Sequence, residues 1–330
     1  MKETLEHLYQ YKTLSKNEAK HILTNIAAGK FNHYQIASFL TAFIMRNITI
    51  DELRGFREAL LELCHTVDLS NYDPMDLCGT GGDSKNTFNI STLTSFVTAG
   101  ADIPVAKHGN YGVSSISGSS NVLEFLGIKF QMDERKLQQQ LDKANICFMH
   151  APLFHPALKE VGTIRKQLGV KTFFNMLGPL VNPANPKKQL LGVFNLELAR
   201  IYHYLLQEED MNYHIVHALD GFDEISLTSE CKIVSNNEEQ IVSAEHFGFN
   251  PVKYEDLSGG NSIERSAEIF INIINGEGSE SQNNVVLANA AYAIKTYHPE
   301  LKIDECVEMA KNSLFNLKAL NSFNTLKQLS

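Results

Sequence analysis

The sequence predicts an α/β fold: a small all-helical N-terminal domain, then a larger α/β domain built on a mainly parallel central sheet. Three observations carry that reading. Up to about Val67 the chain reads as helix throughout. From Met75 onward short β-rich runs alternate with helical stretches. Two glycine-containing loops each lead from a strand into a helix.

The elements follow in order. Ser15-Lys16-Asn17-Glu18 and Thr49-Ile50-Asp51-Glu52 have the form of capping boxes, so each sets a helix start. Ile36, Phe39, Leu40, Phe43 and Ile44 fall on one helical face, a stripe for packing in a core or at a subunit interface. Asn71-Tyr72-Asp73-Pro74 marks the crossing between domains, 1–70 and 71 onward. Beyond it, Ile146-Cys147-Phe148-Met149, Leu190-Leu191-Gly192-Val193 and His214 to Ala218 read as strands. Asp133 to Ala144 and Glu197 to Leu206 read as helices, and Asn236 to Glu239 and Gly276 to Asn284 as exposed loops.

Asp76-Leu77-Cys78-Gly79-Thr80-Gly81-Gly82-Asp83 is a strand entering a tight turn, with a helix expected to begin near Thr92. Three glycines in four residues let the backbone approach a ligand closely and aim N–H groups at it. The helix start adds unpaired N–H groups and a positive dipole end, which suits a phosphate or pyrophosphate. Neither common phosphate loop is present: Ser84 stands where both patterns require glycine, and Lys85 is followed by Asn86. On the glycines alone, a surface turn without ligand is an equal reading.

A second cluster repeats the design. Val105-Ala106 ends a strand; Lys107-His108-Gly109-Asn110, Ser114-Ser115 and Ser117-Gly118-Ser119-Ser120 follow; Asn121 to Leu126 opens a helix. Lys107 would offer a point charge and the serines short donors to phosphate oxygens, and the competing reading is a solvated linker. Arg165, ahead of Leu168-Gly169, presents a planar fork suited to a carboxylate, though a surface arginine would look the same. In Asp220-Gly221-Phe222-Asp223-Glu224 adjacent carboxylates follow a strand and could hold divalent cations that also touch substrate phosphates; an exposed acidic turn is the alternative. His150 and His155 lack partners at metal-ligand spacing, His108 in the lysine loop could donate to substrate or serve the structure, and the G-x-S-x-G turn of a serine hydrolase is absent.

Taken together these clusters resemble the anthranilate phosphoribosyltransferase family of the tryptophan branch. Its G-T-G-G-D, N-x-S-T, K-H-G-N, S-S-x-S-G-S, R-x-x-L-G, F-N-x-L-G-P-L-x-N-P and D-G-x-D-E motifs occur in family order over nearly the whole chain. Tyr111-Gly112, Ile116 and Asn121 stand where the family commonly has Arg-Ala, Lys and Asp. The resemblance implies a phosphoribosyl pyrophosphate site at Gly79, Gly82, Asp83, Thr87, Asn89, Ile90, Ser91, Thr92, Lys107, His108, Gly109, Asn110, Ser114, Ser115 and Ser119. It implies anthranilate contacts at Gly79, Asn110 and Arg165, and Mg²⁺, two ions, at Ser91, Asp223 and Glu224. No general base is nominated, because an aromatic amine has a free lone pair at neutral pH. It also implies that about 156–186 completes the helical domain, leaving 71–155 and 187–330 as the substrate domain with the site at the domain boundary, and a homodimer formed through the helical domain. Two alternatives stay open: a pyrimidine-nucleoside phosphorylase-like enzyme, and a catalytically silent homologue that binds nucleic acid.

Composition agrees with an enzyme. The 330 residues, 43% of them hydrophobic, suffice for a sizeable core and two domains. A net charge of −9 argues against a nucleic-acid surface. Cys64, Cys78, Cys147, Cys231 and Cys306 are widely spaced, odd in number and without C-x-x-C, as in reduced cytoplasmic proteins. The charged N-terminus lacks a signal core, and no run reaches the ~18 apolar residues of a membrane span.

Overall fold

The structure is a computed structural model that describes residues 1–112 and 117–330, and for Lys159 and Glu160 the backbone alone. In chain order its elements begin with α1 (Lys2–Tyr9), α2 (Lys16–Ala27), α3 (His33–Met45) and α4 (Ile50–Leu63). Next come β1 (Met75–Gly79), α5 (Ile90–Gly100), β2 (Val105–Gly109), α6 (Ser119–Phe125), α7 (Glu134–Ala144) and β3 (Ile146–His150). The short α8 (Ala151–Phe154) and α9 (Ala157–Leu168) precede β4 (Lys188–Gly192), α10 (Leu196–Leu206), β5 (Asn212–Ala218), β6 (Cys231–Ser235) and β7 (Glu239–Val242). Four helices close the chain: α11 (Ile263–Ile274), α12 (Glu280–Tyr297), α13 (Ile303–Phe315) and α14 (Lys318–Leu329).

Two compact units result, one of residues 1–67 with 151–185, the other of 68–150 with 186–330. The first is helical. Both capping boxes form: Ser15 and Glu18 exchange side-chain-to-backbone bonds at the start of α2, and Thr49 and Glu52 do so at α4. Asn32 and Gln35 make a third box, at α3, that the sequence pattern does not single out. The α3 stripe is internal core: Ile36, Phe39, Leu40 and Phe43 are buried, and Phe39 and Phe43 pack edge-on against Phe56 and Phe173. Ile44 alone of the five is exposed. Other exposed apolar side chains of this unit are Tyr9, Tyr11, Tyr34, Met45, Leu153 and Val170.

The second unit holds a seven-stranded sheet in the order β3-β2-β1-β4-β5-β6-β7. The first five strands are parallel, and β6 and β7 add antiparallel at one edge. From β1 the chain winds outward to β2 and β3, then returns to lay β4 on the opposite side of β1. The strand order therefore reverses between β1 and β4, the place where parallel α/β sheets leave a crevice at their carboxyl ends.

Several boundaries differ from the sequence reading. The β2 strand continues through Lys107 and His108 to Gly109, because both residues find buried partners and need no solvent. Glu239 opens an edge strand paired with β6, not a loop. Residues 280–284 are helical, because Ser279 and Gln282 cap α12 with a box that sits inside a polar stretch. Helix α5 begins at Ile90, two residues ahead of Thr92.

Candidate functional site

The turn after β1 takes the shape its glycines permit. Gly81 and Gly82 lie at φ +61° and +76°, followed by Ser84 at +62°, so the backbone coils tightly with N–H groups turned inward. Thr80 N–H donates to the Gly192 carbonyl at 2.9 Å, tying the turn to the end of β4. Gly81 N–H donates to Asp223 Oδ2 at 2.7 Å, and Ser91 N–H, in the first turn of α5, donates to Glu224 Oε1 at 3.0 Å. The acidic turn beyond β5 thus reaches the glycine turn and the helix start at once.

That approach depends on two glycines paired in register at the ends of β1 and β4, Gly79 and Gly192. A Cβ on Gly192 would stand 1.7 Å from the Asp223 carbonyl oxygen, and one on Gly79 would stand 2.4 Å from Asp223 Oδ2. Gly79, Gly192, Ser91, Thr94, Asp223 and Glu224 line a cavity of about 20 Å³ among them, room for about one water. Gly192 carries no mark of a site residue in the sequence, although a glycine closing an apolar strand was the available signal.

Three carboxyl groups meet here. Asp83 and Asp223 hydrogen-bond each other, and burial raises both above the ordinary range. For Asp223 the Asp83 charge adds to burial and brings it to about 7. Burial first, then Asp223 and Asp83, push Glu224 well above its usual value. Asp223 favours the folded chain while it is protonated. Its contribution is complete below the ordinary 3.8 and is lost as the pH rises through about 7. Asp223→Asn, melted in chelator, is therefore expected to gain several degrees over the parent near pH 8 and to match it near pH 4, on the order of 2–8 °C. An equal difference at both pH values would detach this group from the pH dependence.

The second loop closes on itself. Ser120 N–H and Ser119 Oγ donate to the Asn110 carbonyl at 3.1 and 3.3 Å, and Asn121 Oδ1 accepts from the N–H groups of Gly112 and Gly118 at 2.9 and 3.0 Å. Asn89, at the start of α5, donates through Nδ2 to the Ser117 carbonyl at 3.1 Å, so the two loops are joined. Ser114, Ser115 and Ile116 lie outside the described residues. Lys107 is buried, its Nζ donating to the Leu77 carbonyl at 2.5 Å beneath the glycine turn, where its charge acts on Glu224. Ile90, Thr92 and His108 are also buried, His108 N–H donating to Asp76 Oδ1 at 3.0 Å. Gly82 is buried and Thr87 is half-buried, bridged to Ser258. His150 is no catalyst by its setting: Nδ1 pairs with Ser120 Oγ at 2.8 Å, Phe130 stacks on the ring, and burial lowers its basicity.

Arg165 belongs to the helical unit. It lies in the last turn of α9, with Nη2 3.4 Å from Asn175 Oδ1 and its guanidinium 5.3 Å over the Phe174 ring. Desolvation lowers its pKa, and among the described residues no carboxylate pairs with it. A half-buried guanidinium with this setting suits a planar anionic group.

Among the described residues no group of three or more His, Cys, Asp or Glu side chains is arranged to hold a metal ion. Mg²⁺ does not demand one: it takes one or two carboxylates and fills its octahedron with water and substrate phosphates. Asp223 and Glu224, hard oxygen donors crowded by Asp83, fit that use. No helix among the described residues is long and apolar enough to cross a membrane.

Comparison with known proteins places the whole chain. Residues 2–64 match the model of the glycosyl transferase family helical bundle domain, and residues 71–320 that of the family's a/b domain. The chain is 60% identical over 330 residues to an anthranilate phosphoribosyltransferase of Christiangramia forsetii, covering 100% of this chain and 99% of the relative. It is 52% identical to that of Bacteroides thetaiotaomicron, again over 100% and 99%. The structure of the Thermus thermophilus enzyme of that name superposes with a TM-score of 0.91 at 28% identity, covering 98% of each chain. A Saccharomyces cerevisiae anthranilate phosphoribosyltransferase in complex with PRPP and Mg shares the fold, with a TM-score of 0.91 at 24% identity over 98% and 96%.

Proposed function

This chain belongs to the anthranilate phosphoribosyltransferase family, and we infer from that membership that it joins the 5-phosphoribosyl group of phosphoribosyl pyrophosphate to the amine of anthranilate, releasing pyrophosphate. It is a pentosyltransferase of tryptophan biosynthesis. One observation supports placing the donor at the β1 turn: Gly81 and Ser91 aim backbone N–H groups at anionic oxygens, here those of Asp223 and Glu224.

The reaction needs negative charge accommodated on the departing pyrophosphate while positive charge grows on the ribose carbon. On this reading the N–H groups of Gly81 and Ser91 are donors for the pyrophosphate, competing with the acidic pair that holds them in the protein alone. Asp223, Glu224 and Ser91 would hold Mg²⁺, in this reading two ions, whose charge would offset that growing on the leaving group. Asn89 ties the two loops together and Asn110 closes the second, next to the place proposed for the ribose. Lys107, from below, offsets the buried acids. The amine of anthranilate is nucleophilic without a base, so its positioning counts for most, and Arg165 with Asn110 would supply it.

The test is loss of anthranilate fluorescence on mixing with phosphoribosyl pyrophosphate and Mg²⁺; no loss at micromolar enzyme sinks the reading. Arg165→Ala is expected to raise the KM for anthranilate by roughly 10–150-fold, the loss of one charge-assisted contact, and that for the donor far less. Equal effects on both substrates would assign Arg165 to the fold.

A homodimer through the helical unit and a cytoplasmic location complete the proposal. The first is supported by a groove of about 460 Å³ edged by Tyr9, Tyr11, Tyr34 and Met45, apolar surface of the kind a symmetric partner covers. The second rests on free cysteines, three of them buried. Sedimentation should give a dimer at micromolar concentration and a monomer for Tyr34→Glu combined with Met45→Glu. A wild-type monomer would end the dimer proposal.

A further inference from the structure

The two loops, 79–92 and 107–119, contain only two cationic side chains, Lys85 and Lys107. Their settings are opposite. Lys107 is sealed beneath β1 and committed to the Leu77 carbonyl. Lys85 is half-buried in the glycine turn itself, and among the described residues no carboxylate pairs with it. Its ammonium sits 4.7 Å over the ring of Phe222 and 5.1 Å over that of Tyr254.

The local backbone explains how it is held. Lys85 N–H donates to Asp83 Oδ1 at 3.0 Å across Ser84, whose left-handed φ tightens the turn. The lysine stem then runs along the turn beyond β5, close enough that a Cβ on Gly221 would lie 3.8 Å from its Cε. Phe222 is wholly buried and cannot swing away, so one wall of the seat is rigid. Ring faces attract an ammonium without neutralising it, and they satisfy none of its three N–H donors in the way an oxygen would. The charge is already felt nearby: Lys85 acts on the Asp83 carboxyl from this position. A cation kept in place by aromatic faces, beside acids that it does not pair with, is fitted to meet a transient anion.

We propose that Lys85 is a pyrophosphate-binding residue of this site, its ammonium seated on Phe222 and Tyr254 so that it contacts the pyrophosphate group of the phosphoribosyl donor and of the released product. The proposal rests on the reading of the β1 turn as the pyrophosphate site. It adds a residue outside the loop's backbone donors and acidic pair, and it makes the donor's affinity depend on ionic strength.

The experiment compares Lys85→Met, which keeps the stem on the rings and removes the charge, with Lys85→Arg, which keeps both. Steady-state constants for each substrate and the inhibition constant of inorganic pyrophosphate are measured with saturating Mg²⁺ at two ionic strengths, with thermal melting as a check on folding. Lys85→Met is expected to raise the KM for the donor and the pyrophosphate inhibition constant together by about tenfold, the scale of one charge-assisted hydrogen bond. It should leave kcat and the KM for anthranilate within about twofold and flatten the salt dependence of donor binding, as loss of one solvent-accessible cation does. Lys85→Arg should restore most of the affinity. Unchanged donor and pyrophosphate constants in Lys85→Met, in a parent enzyme that turns over, would overturn the proposal and leave the function standing; a parent without turnover would remove the function itself. Parallel losses for both substrates with a lowered melting point would make Lys85 a strut of the turn and also overturn it.

Discussion

Gly192→Ala is expected to remove nearly all transferase activity, lowering kcat/KM by about a hundredfold or more. The added methyl would lie 1.7 Å from the Asp223 carbonyl oxygen, a distance no rotamer change relieves, because both partners are main chain or fixed to it. Either β4 or the acidic turn must move. Thr80 N–H is bonded to the Gly192 carbonyl, and Gly81 N–H to the Asp223 side chain, so any such movement reaches the glycine turn directly. Overpacking of this kind costs about 1–3 kcal/mol in stability. Displacement of a positioned group by an ångström costs on the order of a hundredfold in rate. Gly162→Ala provides the control: no atom stands within 4 Å of the place its methyl would take, and its φ is ordinary. Activity of Gly192→Ala within about threefold of the parent, with Mg²⁺ dependence intact, would show that the acidic turn is not held at that spacing for catalysis.

The same contact marks the limit of what the sequence discloses. Gly81 and Gly82 were legible as a tight turn because the demand for left-handed backbone is local. Gly192 was not, since the atom that forbids its side chain belongs to a residue brought in by the turn after another strand. The capping boxes at Ser15 and Thr49 were legible for the first reason: each exchanges its bonds within four residues. The apolar stripe on α3 was visible by its period, but its covering partners, Phe56 and Phe173, come from α4 and from a distant 3₁₀ turn. Lys107 read as a phosphate ligand at a strand end; its placement inside β2 depends on the Leu77 carbonyl of the neighbouring strand. Edge strand β7 escaped notice because three of its four side chains are not buried, so it lacks the apolar signature of the central strands. The backbone form of the turns was local and readable; the fit between turns was not.

The largest loss of stability is expected from Glu52→Ala, in the helical unit and remote in chain position from every loop discussed above. Glu52 begins as the third residue of a capping box, where Thr49 N–H donates to Oε2 at 2.9 Å. Its carboxylate serves four further donors: the Thr49 hydroxyl at 3.1 Å, Leu14 N–H at 2.8 Å, Arg46 Nη1 at 2.9 Å and Arg46 Nη2 at 2.5 Å. The carboxylate is fully buried, and the Arg46 side chain is 9% exposed with its guanidinium 4.6 Å over Phe43. Truncation leaves that guanidinium without its carboxylate, held by the Asn47 carbonyl that Nη1 also meets at 2.9 Å, and strands two backbone N–H groups. Breaking a buried pair from one side costs about 3–5 kcal/mol. The other box offers a measure of the cap alone: Glu18, in a more exposed setting, closes α2 without a buried cation, and its loss should cost about 1 kcal/mol. Urea unfolding followed by circular dichroism would rank the two variants. Glu52→Gln, which keeps one acceptor but not the charge, should fall between them. A Glu52→Ala midpoint no lower than that of Glu18→Ala would mean that Arg46 finds solvent or another acceptor once its partner is gone, and that the buried pair holds the α4 start no more firmly than an ordinary cap.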